Sequence, residues 1–228
     1  MHRPFFRLLI ALMAAALLLA PVRTAAAHPP PPGYPTGKVK TTAFNATLGP
    51  IPVRQGYFDA DANQGFGFDK AYHKHNLYTL SAQKRIMLSP TISKQSNGNY
   101  RLTLYAGRYR CSGSTCTLVD KRTVLGIHDG RSYKVYRGWP VGGIMGMKTA
   151  YCKNPDRSWK CPNWVTPAID HPGFRASKAE QSPSAEVADG PAPTFSAADR
   201  RLFADVASGR ARLASSPTRL PTSIPAPR

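Results

Sequence analysis

Asp69, Lys70, His73, Lys74 and His75 form the densest cluster of reactive side chains in the sequence. A neutral imidazole accepts a proton near neutral pH, and an ammonium group beside it holds a phosphate and stabilises developing negative charge. The cluster therefore suits acid–base chemistry on a phosphodiester. Two other uses of the same residues stand beside it. His73 and His75 would ligate a metal if they shared one side of a strand, but on a helix an i, i+2 pair points to opposed sides. Both histidines could also simply answer the negative pole at a helix C-terminus. Much later comes Lys148-Thr149-Ala150-Tyr151. On a strand Thr149 and Tyr151 share a face. They offer a hydroxyl for a phosphate oxygen and a phenol for stacking or proton relay at a ribose.

Positioning these groups requires a helix followed by strands. Gly65-Phe66-Gly67 is a flexible lead into a short helix over Phe68–His75, with Asn76 as its terminating residue. A second helix is expected over Ser81–Leu88, capped by Ser81. Alternation then predicts strands over Tyr100–Arg110, Thr117–Ile127, Ser132–Arg137 and Ile144–Cys152. Asn97-Gly98, Ser112-Gly113 and Asp129-Gly130 are the turn signals between them. The expected fold class is α+β, with short N-terminal helices packed on a four- to five-stranded antiparallel meander.

Charge narrows the partners. The chain carries 31 Lys+Arg against 12 Asp+Glu over 228 residues, a formal net charge of +19. This favours an anionic partner such as nucleic acid, an acidic polymer or a membrane surface, although basic charge also serves solubility or wall adhesion. From Ala71 to Val119 there is no Asp or Glu, and Lys74, Lys84, Arg85, Arg101 and Arg108 alternate with Tyr72, Tyr78, Tyr100 and Tyr105. Interleaved cations and aromatics match a phosphate backbone with stacked bases; the bland equivalent is an ordinary strand surface. The sequence has no G-x-S-x-G, no P-loop and no H-E-x-x-H, so a serine hydrolase, an ATPase and a zincin lack support. Few carboxylates make a two-acid glycosidase unattractive, though Asp59, Asp61 and Asp69 remain available for pairing in space.

The ends of the chain read differently from its middle. Arg3 and Arg7 precede the apolar run Leu8–Ala20, which is too short to span a bilayer comfortably, and Ala25-Ala26-Ala27 offers a cleavage site. Residues 1–27 are thus expected to be a signal peptide, His28 the mature N-terminus, and the protein secreted. Residues 28–40 read as a proline-rich extended linker, 41–175 as the folded domain, and 176–228 as a disordered Ala/Pro/Ser-rich tail. A short helix over 197–208, capped by Ser196 and stopped by Gly209, is the one element expected in that tail. Four cysteines in an exported chain imply two disulfides. Of the three possible pairings, Cys111–Cys116 with Cys152–Cys161 closes short local loops and is the expected one. Zinc fits these spacings poorly. Asn45-Ala46-Thr47 matches a glycosylation sequon, and Trp139, Trp159 and Trp164 are either packing or ring-binding residues.

The run Gly65-Phe66-Gly67-Phe68-Asp69-Lys70-Ala71-Tyr72-His73-Lys74-His75 resembles the GFGxxKIxxKH motif of secreted bacterial ribonuclease toxins. Those toxins belong to the barnase–EndoU–colicin–RelE-like superfamily. Lys148-Thr149-Ala150-Tyr151 is similar to the T-A-Y/F-P ending of their last core strand. Ala71 departs from the bulkier aliphatic of the motif, and Cys152 stands where the proline is usual. The resemblance implies helices ahead of an antiparallel sheet and a metal-independent endoribonuclease that needs no cofactor and yields a 2′,3′-cyclic phosphate from single-stranded RNA. It implies His75 as general base on the ribose 2′-hydroxyl, Lys70 on the scissile phosphate, and Thr149 and Tyr151 positioning phosphate and base. His73, Lys74 and Arg85 would be supporting groups, and an immunity or inhibitor protein a possible partner. Two other functions are open at this point: a secreted non-catalytic module binding an anionic polymer, and a secreted protease inhibitor with a rigid loop near Cys111–Cys116.

Overall fold

The computed structural model describes residues 27–170 and 193–226. The expected signal peptide up to Ala26, and residues 171–192, lie outside the described residues. The fold is α+β with antiparallel sheets and two disulfides, Cys111–Cys116 and Cys152–Cys161. Two hairpins come first: β1 (Val39–Asn45) with β2 (Gly49–Arg54), and β3 (Tyr57–Asp59) with β4 (Gln64–Phe66). They precede α1, a single α-turn at Gly67–Asp69 that widens into a π-turn over Lys70–Lys74, and α2 (Leu80–Met87). The main sheet is built from β5 (Ile92–Lys94), β6 (Tyr100–Ser112), β7 (Thr115–Tyr136) and β8 (Trp139–Lys153), each antiparallel to the next. α3 (Val165–Asp170) follows. After the undescribed segment come α4 (Ala197–Ala207), β9 (Ala211–Ser216) and β10 (Ser223–Pro225).

The sheet's two faces follow from the alternation on β6. Leu102 and Leu104 are buried, while Arg101, Thr103 and Tyr105 project to the other side. Register carries this across the strands: Leu102 pairs Gly126, which pairs Ala150, and Leu104 pairs Val124, which pairs Cys152. A Cβ on Gly126 would collide with Ile86 and Met87, so α2 lies directly on this face. Ile86 and Met87 of α2 join Val165, Ala168 and Ile169 of α3 and Leu202 and Val206 of α4 in one core against it. The helices thus cover one face and leave the rows Arg101–Ile127–Thr149 and Thr103–Leu125–Tyr151 on the other.

Several expectations are corrected. Asp129-Gly130 does not turn the chain. Asp129 accepts hydrogen bonds from Arg131 (2.8 and 2.7 Å) and from the Tyr133 hydroxyl (3.0 Å), and the register merely shifts there, so the two expected strands are one bent β7. The turn falls at Arg137-Gly138, both at positive φ (52° and 86°), the backbone of a two-residue I′ hairpin. α2 is capped by Thr79, whose hydroxyl accepts from the Ala82 N–H at 3.1 Å, and not by Ser81. The segment expected as a linker packs on the domain: Thr36 is buried and donates to the Pro140 carbonyl at 2.6 Å. Asn45 of the sequon is buried and donates to the Met87 and Ser89 carbonyls (2.9 and 3.1 Å), so its amide is not free for a glycan.

The tail is the largest difference. Ser196 caps α4 with a capping box to Asp199, as its sequence position predicts. Beyond it the chain is ordered where disorder was expected. β9 pairs with β6 along Tyr105–Arg110, and β10 pairs with β7 at Thr115–Thr117. Composition misled because this strand needs few apolar residues of its own: Ala211 and Leu213 reach the core, and the partner strand supplies the rest.

Candidate active site

Gly67 starts the site. Its φ is +74°, and a Cβ there would stand 2.7 Å from the Arg54 carbonyl oxygen, so only glycine lets α1 press this closely on β2. From it the wide turn delivers Lys70, Lys74 and His75 toward β8. Asn76, at φ 58°, then reverses the chain, and its side-chain amide donates to the Cys161 carbonyl at 2.8 Å and to Asn163 at 2.6 Å. The Cys161 N–H donates to the His75 carbonyl at 2.9 Å. The loop closed by Cys152–Cys161 is therefore clamped onto the segment bearing His75.

That clamp sets the imidazole. His75 is buried, and its Nδ1 lies 3.1 Å from the Trp159 carbonyl oxygen. A carbonyl only accepts, so Nδ1 carries the proton and Nε2 is left with a free lone pair. The His75 ring sits 5.5 Å from Tyr151, which meets Trp159 edge-on at 5.2 Å. Burial pushes the His75 pKa down to about 3; the Trp159 carbonyl opposes this, and the charges of Lys70 and Lys74 deepen it. The ring is neutral at all ordinary pH values.

Around it the cations converge. Burial, together with repulsion from Lys74, Lys148 and Arg137, lowers the Lys70 pKa to about 8. The Lys148 ammonium lies 5.1 Å over the Tyr136 ring, and the Arg137 guanidinium 5.6 Å over the same ring. The carboxylate of Asp129 lies 3.8 Å from Lys148 but is already held by Arg131 at 2.7 Å. Its pKa is held down to about 2: burial raises it, but the Arg131 and Tyr133 hydrogen bonds and the Arg131 charge outweigh burial. Repelling cations that crowd one place form a site for an anion.

The sequence-derived residues divide clearly. Lys70, Lys74, His75 and Tyr151 come together. Thr149 stands one residue pair along β8 on the same outer face as Tyr151, and its hydroxyl is buried without a hydrogen-bond partner among the described residues. His73 stays outside, exposed, with its ring against Tyr72 at 4.7 Å; it does not share a metal with His75. Arg85 is exposed on α2, the helix that lies on the opposite face of the sheet from Thr149 and Tyr151. Asp69 turns away to Tyr34 and Gln55, and burial raises its pKa to about 6. Sequence reasoning gave no role in this cluster to Trp159, Lys148 or Arg137, whose only signal for one was residue type. Arg101, one of the interleaved cations, reaches Tyr151 electrostatically across the outer face. The Cys111–Cys116 pair offers only Gly113 and Ser114 beyond its paired positions, a short turn rather than an extended loop. Among the described residues no helix is long and apolar enough to cross a membrane. Comparison with protein-family models, with curated proteins and with solved structures finds no match to this chain.

Proposed function

We propose that the protein is a secreted endoribonuclease that cleaves single-stranded RNA by transphosphorylation, leaving a 2′,3′-cyclic phosphate. The observation that carries this reading is a buried neutral His75, proton-fixed at Nδ1 by the Trp159 carbonyl, beside the half-buried cation of Lys70. In this scheme Nε2 takes the proton of the ribose 2′-hydroxyl, the 2′-oxygen attacks phosphorus, and the 5′-oxygen leaves. Lys70, with its pKa near 8, holds the phosphate and gives the leaving oxygen its proton. Lys74 and Lys148 supply the charge stabilisation that a metal provides in other nucleases. Thr149 has an unused hydroxyl for a phosphate oxygen, and Tyr151 with Trp159 forms a stacking surface for a base. An arriving phosphate counters Lys70 and Lys74, the charges that depress His75, and so raises the basicity of the ring when substrate is present.

The test is cleavage of single-stranded RNA in EDTA by the chain beginning at His28. The expected results are a cyclic phosphate product, loss of about 10²–10⁴ in rate for His75→Ala, and a decline above about pH 8 as Lys70 loses its proton. Intact RNA with and without added metals defeats the enzyme reading. The cation cluster alone supports a second one, a non-catalytic module for an anionic polymer. It predicts binding that weakens steeply with salt and is unchanged in His75→Ala.

A further inference from the structure

A second constellation lies outside this site, at the expected mature N-terminus. The backbone nitrogen of His28 is 2.5 Å from Asp59 Oδ2, and the His28 Nδ1 is 3.0 Å from the same oxygen. Both nitrogens of one residue thus converge on one point. Asp61 completes the group: one ligand atom from each of His28, Asp59 and Asp61 lies within 4.8 Å of the others. The parts differ in exposure. Asp59 is buried, and its second oxygen is fixed by the N–H groups of Asp61 (3.0 Å) and Ala62 (3.1 Å). The His28 carbonyl accepts from the indole N–H of the buried Trp139 at 3.1 Å. The His28 side chain is 62% exposed. The site is therefore anchored from behind and open in front.

We propose that, once the chain begins at His28, its α-amino group and Nδ1 chelate a divalent transition-metal ion together with the carboxylates of Asp59 and Asp61. Hydrolysis of the Ala27–His28 peptide bond by a signal peptidase adds one water. It leaves a carboxylate on Ala27 and a free amine on His28, so a nitrogen that is only a donor in the uncut chain becomes a ligand. The amine and Nδ1 close a six-membered ring on the metal. Two nitrogens and two carboxylates suit cupric ion best, then zinc, and suit calcium or magnesium poorly. The hydrogen bonds to the far oxygen of Asp59 and to the His28 carbonyl hold the ligands in place, the role outer-shell contacts play in metal sites. The site rests on the secretion reading through cleavage before His28, but none of its residues belongs to the His75 cluster, so it and the nuclease activity stand or fall separately.

The test is calorimetric titration of the metal-free chain beginning at His28 with copper(II) chloride, and separately with zinc chloride. One ion per chain is expected, bound at micromolar concentration or tighter. A chain beginning at Thr24, which keeps Ala27 attached and removes the amine, is expected to bind about 100-fold more weakly. Asp61→Asn, an exposed position that leaves the fold alone, is expected to lose about tenfold. No binding at micromolar metal overturns the site. Equal affinity for the chain beginning at Thr24 overturns the role of the amine. An unchanged affinity in Asp61→Asn overturns the four-ligand set, leaving only the copper binding that any N-terminal histidine shows.

Discussion

Replacing His75 with glutamine tests the central electrostatic claim without an activity assay. In the unfolded chain this imidazole titrates near 6.5, and in the folded protein near 3. Below pH 6.5 the unfolded state therefore binds a proton that the native state refuses. Its contribution is fully present above 6.5 and is lost as pH falls toward 3. At pH 5 the loss is about 2 kcal/mol, because each pH unit inside the window costs about 1.4 kcal/mol per unmatched proton. Asp69 works in the opposite sense: its raised pKa makes folding more favourable as pH falls from about 6. The wild-type curve alone is thus flattened and uninformative. The difference between wild type and His75→Gln removes the Asp69 contribution, which both proteins share. Urea unfolding at a series of pH values is the assay, with the imidazole proton shifts followed by NMR on the native protein. The gap between the two proteins should be constant from pH 8 to 6.5 and then move against wild type by about 2 kcal/mol by pH 5. Parallel curves across that range, or a His75 resonance titrating near 6.5, would refute the buried neutral ring and the tautomer assigned to it.

Two further outcomes test how the site is held. The double substitution Cys152→Ser/Cys161→Ser frees the loop that carries Trp159. It should cost about 2–3 kcal/mol in urea unfolding and bring the His75 titration up toward its ordinary value by NMR. Leu213→Ala empties a buried position on β9 and should destabilise the fold by about 2–5 kcal/mol. A neutral result there would mean that β9 is not part of the sheet.

Local physics was legible in the sequence wherever one element explains itself. The alternation of Leu102 and Leu104 with Arg101 and Thr103 gives β6 its two faces. Ser196 followed by Asp199 gives α4 its cap, and the spacing of the cysteines gives two local disulfides. The Lys70–His75 run and the Thr149/Tyr151 pair were legible as candidate groups because each is short and continuous. What the tertiary structure alone decided are the meetings between distant residues. The Trp159 carbonyl on Nδ1 of His75 is one. Lys148 and Arg137 crowding Lys70 is another, and the nitrogens of His28 over Asp59 are a third. A carbonyl carries no side-chain signal, and a charge's effect depends on distance and burial, which only folding sets. The same holds for β9: a strand of ordinary composition becomes one because β6 has an edge for it to pair with.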